Sequence, residues 1–235
     1  VSWRQPLWFV VLLSLLLVSL MASWHVHERL HYSYDIWYDV YDIGEHIDHY
    51  GPRNKYIHGL NDLSKADHVY LFNQISDAVH AGGKGLADIQ FTDKFGKTKA
   101  LLHDSEIVHL QDVANLIDKL DLAGAIALLI LLAGLIILRI HKVHPRWKVQ
   151  LGIFVGLLIF VGVVVLMTGP TAVFYQLHVW IFPDNHQWFF YYQESLMSTM
   201  MKAPILFGGI AATLVGLGLL MFVMVLLLLI RRFKF

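Results

Sequence analysis

The chain of 235 residues contains no cysteine. That excludes a disulfide framework, a thiolate nucleophile and thiolate metal ligands, so any domain outside a membrane must rest on packing. Charge is sparse, with Asp, Glu, Lys and Arg at 15% against roughly a quarter in an ordinary soluble domain. No G-x-S-x-G nucleophile elbow occurs, which leaves a serine-hydrolase reading without its residues. Only six prolines are present, and three of them (Pro6, Pro170 and Pro204) stand at the edges of long apolar runs.

What the chain has in excess is hydrophobicity, at 57% of residues. A bilayer core of about 30 Å needs about 20 largely uncharged helical residues. Four runs, at 7–23, 122–138, 149–169 and 204–230, meet that need. The expected fold class is an α-helical membrane protein with four transmembrane helices and a small α+β extracytoplasmic cap. The layout places spans at 1–23, 122–140, 149–169 and 204–230, a cap at 24–121, and an aromatic segment at 170–203. A short loop at 141–148 and a tail at 231–235 complete it. Arg4 before an apolar run resembles a signal peptide, but the run is long and Leu20 with Ala22 makes a poor cleavage signature, so retention as a span is expected.

The charges are unevenly placed. Arg4, Arg139, Lys142, Arg146, Lys148, Arg231, Arg232 and Lys234 flank the spans on one side, with no acidic residue among them. The positive-inside rule makes that side cytoplasmic, with both termini on it, and puts 24–121 and 170–203 at the extracytoplasmic face of the plasma membrane. The cap carries 16 Asp and Glu against 9 Lys and Arg, which disfavours nucleic acid as a partner. The short cytoplasmic segments hold no output domain, so function is expected outside or within the membrane.

Rings and imidazoles cluster on the outer side. Tyr34, Trp37, Tyr38 and Tyr41 follow helical spacing and read as one face, either an interfacial belt or the wall of a lipid-handling cleft. A helix start at 61–64 leads to a helix ending near His80, then glycines 82–85, a hairpin over 88–102 and a helix from Asp104 or Ser105 to about Leu120. Small residues at Gly152 and Gly156, and at Gly208, Gly209, Gly216 and Gly218, are expected to let spans approach closely. The 14 histidines raise the question of metal, but His25 with His27, and Glu45-His46 with His49, are loose pairs on acidic ground, and no metal is expected.

The sharper signal lies at Asp104–Val113. On a helix, Glu106, His109, Val113, Leu116 and Leu120 share a stripe, with Glu106 and Asp112 one turn to either side of His109. A carboxylate beside an imidazole fixes its tautomer and supports a charge that forms during reaction. Read by itself, such a histidine is more often a satisfied core residue.

At these positions the chain resembles the lipoprotein intramolecular transacylases of Gram-positive bacteria. One match is E-x-x-H-x-x-D-V, here Glu106, His109, Asp112 and Val113; the other is F-x-x-x-H-x-x-x-F leading to a Trp, here Phe174, His178, Phe182 and Trp188. Leu110 stands where Met commonly follows the first histidine. The resemblance implies a diacylated lipoprotein substrate with a free α-amine on its N-terminal Cys, membrane lipid as the other partner, and no cofactor. The sn-2 acyl chain would pass to that amine, leaving a lyso-form. The resemblance also implies catalytic roles for His109 and His178, supported by Glu106 and Asp112, in a pocket lined by Tyr34, Trp37, Phe174, Phe182 and Trp188. His109 is the favoured base and His178 the oxyanion donor, with the reverse open; His186 is expected to be exposed and dispensable. The alternatives are a non-catalytic lipid-binding or accessory membrane protein and a metal-dependent membrane hydrolase.

Overall fold

The computed structural model describes residues 4–141 and 147–233. Lys142, Arg146 and Lys234 of the basic set, with most of the loop at 141–148 and the end of the tail, lie outside the described residues. The chain is predominantly helical, and among the described residues four helices are long and apolar enough to cross a membrane. It divides into two compact units, residues 1–26, 120–173 and 212–235 in one and 27–119 with 174–211 in the other.

The first unit holds the apolar parts of the four long helices. α1 is Arg4–Arg29, α5 is Asp104–Ile140, α6 is Trp147–Thr168 and α9 is Ile205–Phe233. Trp8, Val11, Leu12 and Leu15 of α1 are buried at the centre, against Leu131 and Leu138 of α5, Phe154 of α6, and Phe222 and Leu226 of α9. Because lipid is as apolar as leucine, close packing and polar cross-links hold such helices together. Ser23 supplies one, its hydroxyl donating to the Leu214 carbonyl at 2.8 Å.

Glycines make the close approaches, and Gly218 is one of those the spacing suggests, but Gly124 and Gly134 are not among them. A Cβ at Gly134 would lie 2.6 Å from Val11, one at Gly124 2.8 Å from Met21, and one at Gly218 2.7 Å from Leu20. At Gly152, Gly156, Gly208 and Gly216 it would meet nothing within 4 Å, so these four are not helix contacts within the chain. The G-x-x-x-G spacing marks a face that could pack, and α6 presents that face away from its neighbours.

The second unit contains the shorter helices α2 (Tyr34–Val40), α3 (Ile43–Tyr50) and α4 (Lys65–His80), and a hairpin of β1 (Gln90–Thr92) and β2 (Thr98–Ala100). The first turns of α5 and the segment 174–211 complete it. α4 starts where a capping box forms: Ser64 accepts from the Asp67 amide at 3.2 Å, and Asp67 accepts from the Ser64 amide at 2.9 Å. The hairpin is antiparallel with Phe91 opposite Lys99. Its turn is closed by Asp93, which accepts from the amides of Phe95 and Lys97 and pairs with Lys99 at 2.8 Å.

Two boundaries differ from the expectation. α5 is one helix of 37 residues rather than a cap helix followed by a span. The change at Asp121–Leu122 is in composition only; no proline or left-handed glycine interrupts the backbone. The apolar section begins at residue 122, whereas the turns before it carry Asp104, Glu106, Asp112, Asp118, Lys119 and Asp121 and lie outside the span. Pro170 does not merely close a span, because it opens α7 (Pro170–Ile181) directly after Gly169, whose φ of +90° breaks α6.

The contrast between glycines is testable by thermal unfolding in detergent. Gly134→Leu should destabilise by about 1–3 kcal/mol through overpacking against Val11. Gly152→Leu should leave the melting temperature unchanged within about a degree, and equal losses in the two variants would overturn the packing described.

Candidate active site

The site lies in the second unit and is built on the head of α5. Glu106, His109, Leu110, Ala114 and Ile117 are buried, Val113 and Leu116 half-buried, and Leu120 exposed. The inward stripe is therefore rotated slightly from the one drawn on the sequence. His109 is 6% exposed, with its ring 4.9 Å from Phe182 and 6.1 Å from Phe190, centre to centre. Facing it is His178, at 6.2 Å between ring centres and 28° between planes. His178 comes from α7, and its own ring sits 4.1 Å from Phe174, 5.1 Å from Phe182 and 5.2 Å from Trp188. Helical spacing puts Phe174, His178 and Phe182 on one side, and Phe182 bridges both imidazoles just past the end of α7.

The hydrogen bonds of the pair are unequal. Nδ1 of His178 lies 2.8 Å from the Phe174 carbonyl. A carbonyl only accepts, so this nitrogen carries the hydrogen and the neutral ring keeps its lone pair on Nε2. Nδ1 of His109, by contrast, is buried with no hydrogen-bond partner. Burial pushes the pKa of His109 down to about 4, helped by the adjacent His178 and opposed by Asp112. Burial also lowers that of His178, against the pull of the Phe174 carbonyl. Both shifts favour the neutral imidazole.

The carboxylates expected to support His109 are engaged elsewhere. Glu106 is fully buried and accepts from the Ser195 hydroxyl at 2.5 Å, the Leu196 amide at 2.7 Å and the His103 amide at 3.1 Å. Burial raises its pKa, and these donors counter the rise. Its role is to tie the start of α5 to the start of α8 (Leu196–Thr199), where Ser195 also accepts from the Met197 amide. Asp112 lies 2.6 Å from Nδ1 of His186. His186 is thus a partly buried partner of the α5 head and not the free surface residue expected, because the 182–195 segment folds back onto α5. Its position in a loop gave no periodic signal to reveal this contact; neither did that of Ser195.

Tyr34 and Trp37 take other partners. Tyr34 is 1% exposed, stacks on Phe72 at 4.0 Å and donates to the Met200 carbonyl at 2.7 Å. Trp37 stacks on Tyr41 at 5.2 Å, and both lie against Gly209. The single face drawn for Tyr34, Trp37, Tyr38 and Tyr41 is split between the unit's core and Gly209, whereas Phe174, Phe182 and Trp188 are grouped around the imidazoles. Among the described residues, no three His, Asp or Glu side chains come together as a metal site would need.

The fold and site define a multi-pass membrane protein in which a buried imidazole, His109, faces a half-buried one, His178, among the rings of Phe174, Phe182, Trp188 and Phe190. Residues 7–204 match the family described as lipoprotein intramolecular transacylase (Lit), and the chain belongs to that family. It is an acyltransferase that moves an acyl group within a lipoprotein. No curated protein and no solved structure matches the chain.

The lowered pKa of His109 has a stability consequence. Its folded value of about 4 lies below the ordinary 6.5, so the unfolded chain binds more protons between those values. Stability is therefore full above pH 6.5 and falls as pH drops toward about 4, by about 3 kcal/mol from this residue. In detergent melts, His109→Gln should show a shallower acid decline than the native protein. Parallel declines would contradict the burial described.

Proposed function

We propose that His178 is the general base and acid of the transfer and that His109 donates the hydrogen bond that stabilises the tetrahedral oxyanion. The acceptor is the α-amine of the lipoprotein's N-terminal Cys, and the donor is the sn-2 ester of its diacylglyceryl group. The amine nitrogen attacks the ester carbonyl carbon, the carbon–oxygen bond to glycerol breaks, and an amide and a free glycerol hydroxyl result. Nε2 of His178 takes a proton from the nitrogen and returns it to the departing oxygen. His109, neutral and with Nδ1 unpartnered, gives the oxyanion its hydrogen bond in a site dry enough for that bond to count.

The observation that carries this assignment is the bond from Nδ1 of His178 to the Phe174 carbonyl, which leaves Nε2 as the accepting nitrogen. It favours the reverse of the roles preferred on sequence grounds, since neither Glu106 nor Asp112 bonds to His109. The two ring centres lie 6.2 Å apart, close enough for one ester carbonyl set beside them to engage both imidazoles. Holding amine and ester together replaces closure of a strained medium-sized ring in solution, and such orientation reaches effective molarities of roughly 10⁵ M and above. The rings of Phe174, Phe182 and Trp188 keep out water, which would turn transfer into hydrolysis. The basic set that includes Arg139, Lys148, Arg231 and Arg232 supports cytoplasmic termini and a site at the extracytoplasmic face of the plasma membrane.

Asparagine separates the two roles, because an amide donates a hydrogen bond but does not take a proton. His178→Asn should lose about 10²–10⁴ in rate, and His109→Asn should keep a measurable fraction of activity. The readout is mass spectrometry of a diacylglyceryl lipopeptide before and after incubation with each variant. A dead His109→Asn beside an active His178→Asn would invert the assignment.

A further inference from the structure

A third imidazole is held on the helix that carries His109, and it has the carboxylate that the other two lack. Nδ1 of His186 lies 2.6 Å from Oδ2 of Asp112. A carboxylate accepts, so Nδ1 carries the hydrogen, and in the neutral ring the lone pair is on Nε2. No hydrogen bond engages that nitrogen among the described residues, and the side chain is 33% exposed against 14% for Asp112. Asp112 follows His109 by one turn on α5, and Trp188, two residues beyond His186, contacts His178 at 5.2 Å. Asp112 is the charged group that bonds to the ring; Asp184 lies two residues away on the same loop, and His109 one turn from Asp112. An Asp–His pair of this form holds the imidazole in one tautomer and stabilises the cation it becomes on taking a proton.

Proton counting shows what such a group would do, on the reading that the acceptor is a lipoprotein α-amine. That amine, with a pKa of about 7.7–8.0, arrives largely as an ammonium below pH 7.7. Ammonium plus ester gives amide plus alcohol plus one proton. Two protons therefore leave the nitrogen. One returns to the glycerol oxygen through His178, and the other must leave the site. A base already holding the returning proton cannot also take the departing one.

We propose that His186 is a second general base, which takes the first proton from the substrate ammonium at Nε2 and releases it to water, with Asp112 as its positioning residue. The nitrogen–hydrogen bond breaks, its electron pair stays on nitrogen as the attacking lone pair, and no further reactant is needed. Partial exposure suits a group that must hand a proton to solvent, as the buried His109 does not.

The test is His186→Asn, with the native protein, His178→Asn and Asp112→Asn alongside. The asparagine amide sits where Nδ1–H sits, so the bond to Asp112 is kept while proton uptake is lost. N-acylated product from a free-amine diacylglyceryl lipopeptide in detergent is measured by mass spectrometry at about pH 6.5 and pH 9, either side of the amine's pKa. Enzyme-free controls are subtracted. His186→Asn should be slower by about 10²-fold at the lower pH and within about threefold of native at the higher, where the amine is already neutral. Asp112→Asn should lose in the same direction by a smaller factor, and His178→Asn should fail at both. Activity near native at the higher pH also shows that the variant is folded. An equal loss at both pH values, or no loss at the lower one, overturns the proposal. Absence of N-acylated product from the native protein at either pH overturns the α-amine reading itself, and this proposal with it.

Discussion

The geometry of the second unit depends on a single buried carboxylate. Glu106 has no exposed surface, and a bare charge there would cost several kcal/mol to desolvate. Three donors compensate it, and two of them, the Ser195 hydroxyl and the Leu196 amide, come from 89 and 90 residues further along the chain. The bond set therefore joins the head of α5 to the segment that follows the aromatic loop. Asp112 holds the same loop two turns further along α5, at His186. Between these two attachments run Trp188 and Phe190, whose rings lie against His178 and His109. Removing Glu106 would leave three donors unsatisfied and release one end of that loop.

Much of the architecture was legible before any coordinates. The spans follow from apolar length, α4 from the start signal at 61–64, and the hairpin from turn residues between short β-forming runs. The facing of His109 and His178 followed from motif spacing and family resemblance. What sequence periodicity could not supply was the identity of each polar group's partner. Glu106 and Asp112 stand one turn either side of His109, and a helical wheel offers both to it. Long-range pairing gives them instead to Ser195 and His186. The same limit applies to rings: α2 is seven residues long, so Tyr34 and Trp37 share a periodic pattern yet point to different neighbours.

Electrostatics at the site follow from dryness. Burial favours the neutral form of both motif imidazoles, and under the proposed roles that suits one to accept a proton and the other to donate a hydrogen bond without repelling the substrate ammonium as a cation would. The Asp112–His186 pair, by contrast, is partly exposed, so water can reach it. An all-apolar pocket could align the reactants but could not move their protons; an open, charged one would hydrolyse the ester.

α7 carries His178 but has no buried side chain of its own; Leu177, Val179, Trp180 and Ile181 are all exposed. A helix of that kind cannot form the closed end of a tunnel. Under the proposed mechanism the imidazoles would hold the ester carbonyl alone, and the hydrocarbon tail behind it would find no closed wall on α7. An enzyme of that kind would have no ruler: fatty chains of different length or branching would present the same carbonyl to the same two rings, and the composition of the product would follow that of the membrane that supplied the chain.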